Sequence, residues 1–201
     1  ATGKLSGTLT LTGPVPGAGE KFSGQIKTSF NAQNLKLQNG NSPALSLNQL
    51  EGSGEFANHQ VNYKLKGDAL NGNFHSDGTI ILSASGKSPP VLKNRVEFAN
   101  LDLTQLSVPQ PATGGNISGH VQLNGPLPES GNLLTSNLKI DTDFKVTGLK
   151  MSAGALPLDI QQLDGKATLK RGRLDHDLNG TLFGGKVKTK GLLTFQKIKE
   201  E

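Results

Sequence analysis

Residues 138–146 read Leu-Lys-Ile-Asp-Thr-Asp-Phe-Lys-Val, and their alternation decides the fold class. Leu138, Ile140, Thr142, Phe144 and Val146 fall on one side of an extended chain, while Lys139, Asp141, Asp143 and Lys145 fall on the other. Successive side chains of a strand point to opposite faces, so this stretch is a β-strand with one apolar and one wetted face. The same period runs through 5–11 (Leu5, Leu9, Leu11), 61–65 (Val61, Tyr63, Leu65), 74–82 (Phe74, Ile80, Leu82), 117–123 (Ile117, Val121, Leu123) and 187–195 (Val187, Leu193, Phe195). No helix-length stretch free of Gly and Pro carries apolar residues at helical spacing. The segment 92–106 comes nearest, and it reads equally well as a strand with a bulge between Val96-Phe98 and Leu101-Leu103. The expected fold is all-β: an elongated, curled antiparallel sheet with one apolar face.

Turn chemistry supports this. Asn39-Gly40, Asn71-Gly72, Asn124-Gly125 and Asn179-Gly180 are expected at hairpin turns, because both residue types tolerate positive φ. Pro14, Pro16, Pro126 and Pro128 are expected just past strand ends, where a missing N–H leaves the ladder intact.

The chain also repeats itself. Leu5-Ser-Gly-Thr-Leu-Thr-Leu-Thr-Gly-Pro-Val-Pro16 returns as Ile117-Ser-Gly-His-Val-Gln-Leu-Asn-Gly-Pro-Leu-Pro128. Phe30 and Leu35-Lys-Leu37 match Phe144 and Leu149-Lys-Met151, and Leu45-Ser-Leu-Asn-Gln-Leu-Glu-Gly52 matches Leu158-Asp-Ile-Gln-Gln-Leu-Asp-Gly165. Gly67, Gly72 and Gly78 match Gly180, Gly185 and Gly191. Four blocks in one order, spaced by roughly 113 residues, predict two copies of one multi-strand unit. The copies are 1–80 and 117–195. Residues 81–116 supply connecting strands and Pro-rich joints (Pro89-Pro90, Pro109 and Pro111), and 196–201 form a C-terminal tail.

Composition sets the limits. Of 201 residues, 33% are hydrophobic and only 4% aromatic, which suits a thin sheet better than a thick core that must be filled at crystal-like density. There are no cysteines, so disulfides, thiolate metal sites and thiol nucleophiles are excluded. A net charge of +5 is mild and matches an ordinary solvated surface. No apolar run reaches membrane-spanning length. The chain opens at Ala1 without a charged n-region and apolar h-region, so it reads as a mature protein or an excised fragment.

Leu163-Asp-Gly-Lys-Ala-Thr-Leu-Lys-Arg-Gly-Arg-Leu174, continuing through Leu178-Asn-Gly-Thr-Leu-Phe-Gly-Gly-Lys-Val-Lys-Thr-Lys-Gly191, resembles the C-terminal part of AsmA-like proteins. The shared pattern is an alternating strand, a turn, a second strand, and a Phe-Gly-Gly step into a third. The blocks Leu5–Pro16 and Ile117–Pro128 are similar to strand openings of the related TamB-like proteins, and the AsmA, TamB, YhdP and YdbH branches are not separable on these motifs. The resemblance implies a repeating β-groove of a Gram-negative envelope protein, anchored in the inner membrane by a segment outside this sequence and crossing the periplasm. The implied role is guiding glycerophospholipid acyl chains toward the outer membrane, with outer-membrane assembly proteins as further partners. No catalytic residue, cofactor or metal comes with the family.

On that reading the groove-lining candidates are Leu9, Leu11, Ile26, Phe30, Val61, Tyr63, Leu65, Val121, Leu123, Leu138, Ile140, Phe144, Val146, Val187 and Phe195. Lys186, Lys188 and Lys190 share one strand face and are candidates for contact with anionic headgroups, or for gatekeepers that keep an edge strand from pairing. The alternative is that the apolar residues form the dry core of a structural or protein-interaction module, an assembly scaffold or adhesin, since a groove and a sandwich core give the same alternation.

The remaining constellations are read as structural. In Asp175-His176-Asp177 the two carboxylates share a face and the imidazole points away, so the tripeptide alone builds no three-ligand site. Asp141 and Asp143, flanked by Lys139 and Lys145, read as solvated ion pairs. His59, His75 and His120 lack ligand spacing. No Gly-x-Ser-x-Gly elbow or phosphate loop occurs, and the lysines lack interleaved aromatics for stacking bases, so neither an enzyme nor a nucleic-acid binder is expected.

Overall fold

A computed structural model describes residues 2–14, 24–37, 45–85, 87–106, 112–128, 136–153 and 156–195. The strands are β1 (Thr2–Thr12), β2 (Gln25–Leu37), β3 (Leu45–Ala57), β4 (Gln60–Ala69), β5 (Gly72–Ile81), β6 (Val91–Asp102), β7 (Gly114–Pro126), β8 (Lys139–Ala153), β9 (Leu156–Lys170), β10 (Arg173–Leu182) and β11 (Gly185–Thr194). All 11 belong to one sheet whose spatial order is the chain order, each strand antiparallel to its neighbours. The sheet is open: β1 and β11 are its edges. The only helical element among the described residues is a 3₁₀ turn at Leu103–Gln105, capped by Asp102, whose carboxylate accepts from the Thr104 N–H.

Among the described residues, four of the connections in the ladder are tight hairpins. Their two-residue turns are Asn58-His59 (φ 49° and 60°), Leu70-Asn71 (49° and 58°), Arg171-Gly172 (51° and 73°) and Phe183-Gly184 (49° and 76°). Positive φ at both positions is the mirror-image turn whose twist matches that of the flanking strands. Asn-Gly dipeptides are therefore only part of the story. Asn71 is a turn residue, with Gly72 already opening β5. Asn124-Gly125 and Asn179-Gly180 instead lie inside β7 and β10, and Asn39-Gly40 falls outside the described residues. At Gly180 a Cβ would sit 2.5 Å from the Gln162 carbonyl, so the glycine there serves close backbone approach. Pro126 is the last residue of β7, Pro14 and Pro128 lie just beyond strand ends, and Pro16 is outside the described residues.

The first copy, 1–80, carries β1 to β5 except for Ile81. The second, 117–195, carries β7 from Ile117 through β11, and β6 occupies the segment between them. Equivalent side chains repeat a packing motif. The Phe30 ring lies over Gly52 on the next strand, and the Phe144 ring lies over Gly165; a Cβ at either glycine would fall 2.3 Å from the ring. Both copies also break the two-residue period at one point. Asn34 in β2 and Gly148 in β8 adopt left-handed φ of 52° and 61°. Beyond them Leu35 pairs with Leu47, and Leu149 with Ile160, so apolar residues three apart keep one face. In β6, Asn100 (φ 54°) does the same between Phe98 and Leu101, the bulge that 92–106 was expected to hold. Such irregularities sharpen the local twist and bend the sheet.

Candidate functional site

The site is the apolar face itself, and the pairing register assembles it in rows. Leu11, Ile26, Phe56, Val61, Ile80 and Leu92 form one row across β1 to β6. The next runs through Leu9, Tyr63, Leu123, Ile140, Leu169, Leu174 and Leu193. A third carries Phe30, Leu65, Val96 and Val121. A fourth carries Leu5, Leu50, Phe74, Phe98, Phe144 and Leu178. Val146, Leu163 and Val187 belong to a fifth, with Leu101 and Ile117. At about 6.8 Å per two residues the rows span roughly 27 Å, and at about 4.8 Å per strand the face is roughly 48 Å across.

All the expected lining positions within strands share this face, but they are not equally accessible. Ile26, Phe30, Val61, Tyr63, Leu65, Val121, Leu123, Ile140 and Phe144 are half-buried. Leu9, Leu11 and Val187 are exposed on the edge strands. Leu138, just ahead of β8, and Val146 are buried and offer no surface to a ligand. Phe195 lies one residue past β11, where its N–H donates to the Gly172 carbonyl.

Further residues of this face were not among the lining candidates: Leu50 and Phe56 of β3, Val96 and Phe98 of β6, Leu163 and Leu169 of β9, and Leu174 and Leu178 of β10. The signal existed for β3 and β9, whose Leu-x-x-Leu and Ile-x-x-Leu spacing looks out of phase unless the irregularity is allowed for.

Across the whole face, the buried apolar residues among those described are only Ala32, Leu47, Ala69, Leu92, Leu138 and Val146. Lateral neighbours in the same sheet thus supply most of the shielding. Few polar groups interrupt the face. The hydroxyl of Ser76, a buried residue, donates to Asn94 Oδ1 at 3.0 Å, and Thr142 donates to the His120 carbonyl at 3.1 Å. Partial burial, and then the Asp77 carboxylate, push the Tyr63 hydroxyl above its ordinary pKa. His176 holds Thr189 Oγ1 at 3.3 Å through Nε2, while its Nδ1 is shielded from solvent without a partner.

The opposite face is a lattice of charge. Glu51, Lys66, His75, Glu97, His120, Asp143, Lys166, Asp177 and Lys190 follow one another across successive strands. Ion pairs join Lys66 to Glu51 (2.7 Å), Lys166 to Asp143 (3.2 Å) and Lys190 to Asp177 (3.9 Å). Asp143 therefore pairs across strands with Lys166, whereas Asp141 takes its neighbour Lys139 at 2.8 Å and Thr168 at 2.7 Å. Partial burial raises the Asp141 carboxyl, but the two hydrogen bonds together with the Lys139 charge outweigh it and hold the pKa below the ordinary value. The Lys66 hydrogen bond lowers Glu51 and, reciprocally, Glu51 raises Lys66. These groups are wet, so each pair contributes little.

A concavity of about 710 Å³ lies on this polar side among Lys27, Glu55, Lys64, Asp77, Lys93 and Arg95. Gly54, Tyr63, Gly78 and Leu123 line it as well. A second, about 580 Å³, includes Asp141, Asp143, Asp175 and Asp177. Among the described residues no three His, Asp or Glu side chains gather as a metal site, and no helix is long and apolar enough to cross a membrane. Lys186, Lys188 and Lys190 line the polar face of β11, at the sheet edge.

No family model matches the chain, and neither a curated protein nor a solved structure shows significant similarity to it.

Proposed function

We propose that the chain is a non-enzymatic, lipid-handling β module of a periplasmic envelope protein, whose apolar face holds phospholipid acyl chains in passage between inner and outer membranes. One observation carries the reading: a continuous apolar face spans an open sheet, with few of its described side chains buried. Each methylene moved from water onto such a face gains about 0.8 kcal/mol. An acyl chain matches one leaflet, about 15 Å of hydrocarbon, and fits within the rows. The headgroup needs no dedicated contact and stays in water at the margin, within reach of Lys186, Lys188 or Lys190. The likeness of 163–191 to AsmA-like proteins and of the two opening blocks to TamB-like ones points to the same role, with outer-membrane assembly proteins as further partners.

The test is mass spectrometry of organic extracts of the purified protein beside a β-sandwich of similar size. Stoichiometric phospholipid in this protein alone is the expected result. Its absence from folded protein would assign the face to a scaffold or adhesin module. Ile140→Arg should remove the lipid while the circular dichroism spectrum is kept; loss of the fold would make Ile140 a core residue.

A further inference from the structure

The two copies place equivalent strands in unequal surroundings. β7 is paired on both sides, and on its β6 side Phe98 faces Gly119, Val96 faces Val121 and Leu92 faces Gly125. β1 repeats β7, with Gly7, Leu9 and Gly13 standing where Gly119, Val121 and Gly125 stand. It pairs with β2 on one side, and with no described strand on the other. Its apolar side chains are correspondingly bare: Leu5 is 73% exposed, Leu9 64% and Leu11 61%.

An open strand edge is a template for further pairing unless charge or distortion guards it. β11 is guarded, with Lys186, Lys188 and Lys190 on its polar face. On β1 the run Ser6, Thr8, Thr10 and Thr12 carries no charge; its lysine, Lys4, and its register shift lie at the start of the strand, where a strand of β6's pattern would bring Asp102 opposite. The asymmetry extends to specificity. In the sheet Arg95 of β6 faces Asp77 of β5. A strand of β6's pattern laid on β11 would bring that arginine opposite Lys190, the counterpart of Asp77, and be repelled. On β1 the same arginine would meet Thr10, the counterpart of Gln122, without conflict.

We propose that the outer edge of β1 is a strand-accepting site, and that its occupant is an extended segment with β6's pattern. The segment would be antiparallel, apolar at alternate positions, and would place an aromatic ring opposite Gly7. Main-chain hydrogen bonds supply affinity in this mode, and the alternate side chains supply selection. Phe98 stands opposite Gly119, the counterpart of Gly7, in the register of β6 on β7, and the addition would carry the apolar face beyond β1. This inference does not depend on the lipid reading, and its test contains no lipid.

The probe is a labelled synthetic peptide of residues 91–102 with a photoreactive benzoylphenylalanine at position 98, titrated into the full chain. Saturable one-to-one binding and cross-links within 2–14 or to β2 are the expected result. Leu9→Lys should weaken binding at least about tenfold, Leu193→Lys on β11 should leave it within about twofold, and a peptide with Phe98→Gly should bind at least about fivefold more weakly. The peptide variant keeps the test decisive if Leu9→Lys disturbs folding. Absence of saturable binding would overturn the proposal, as would cross-links to β5, β7 or β11. A concentration-dependent dimer through β1 that excess peptide fails to dissociate would give the edge to a second copy and would also overturn it.

Discussion

β1 and β7 carry nearly one pattern, Leu-Ser-Gly-Thr-Leu-Thr-Leu-Thr-Gly-Pro from Leu5 and Ile-Ser-Gly-His-Val-Gln-Leu-Asn-Gly-Pro from Ile117, yet they end in different environments. Every residue of β1 is exposed, while Ile117, Val121 and Leu123 of β7 are half-buried. Neither strand owes its state to its own residues. β7 has β6 and β8 beside it, and among the described strands β1 has only β2. In a single open layer, shielding comes mostly from lateral neighbours, so burial grades from the middle strands to the edges.

The largest test of that contrast is a charge placed at equivalent sites. Val121→Asp should destabilise by about 3 kcal/mol or more, because neighbours on both sides close over the carboxylate, whereas Leu9→Asp should cost under about 0.5 kcal/mol. Urea denaturation of both variants measures the difference; equal losses would mean that β1 is covered in solution. A smaller gap is expected for the equivalent glycines. A Cβ at Gly119 would fall 2.3 Å from the Asp143 carbonyl, and one at Gly7 would fall 2.5 Å from the Ser29 carbonyl. The clash is similar, but β1 can yield by peeling away. Gly119→Val should therefore cost about 2–3 kcal/mol and Gly7→Val about 1 kcal/mol, read from the same denaturation curves.

Hydrogen exchange sharpens the comparison without mutation. Amides of β7 should exchange near the global unfolding limit and those of β1 through local fraying, at least about tenfold faster. Equal protection would again point to a partner on β1. The smallest effect concerns the polar face. The Asp141 carboxyl is held below its ordinary pKa, so its contribution is complete above about pH 4 and is lost as the pH falls through the lower, folded-state value. Asp141→Asn should lower Tm by no more than about 1–2 °C at pH 7, and by less at pH 3, with thermal melts at both values as the check.

Much of this was legible beforehand. The alternation at 138–146 gave the strand and its faces, and the doubled blocks gave the ordering of equivalent strands. What escaped had local causes. Asn124-Gly125 and Asn179-Gly180 carry turn chemistry but sit within strands, because their glycines serve close packing of neighbouring backbones. Turns at Leu70-Asn71 and Phe183-Gly184 instead hold Leu and Phe at positive φ, residues that no propensity would choose. Leu50 and Leu163 were passed over because left-handed residues in the paired strands, Asn34 and Gly148, reset the phase.

The strand period and the sign of each face follow from side chains two residues apart, and the recurring blocks are themselves a property of the sequence. Tertiary structure alone decided the register, and with it which strand received two neighbours and which received one. Pairing energy is shared between strands distant in sequence, so Leu9 and Val121 could not be told apart until their neighbours were in place.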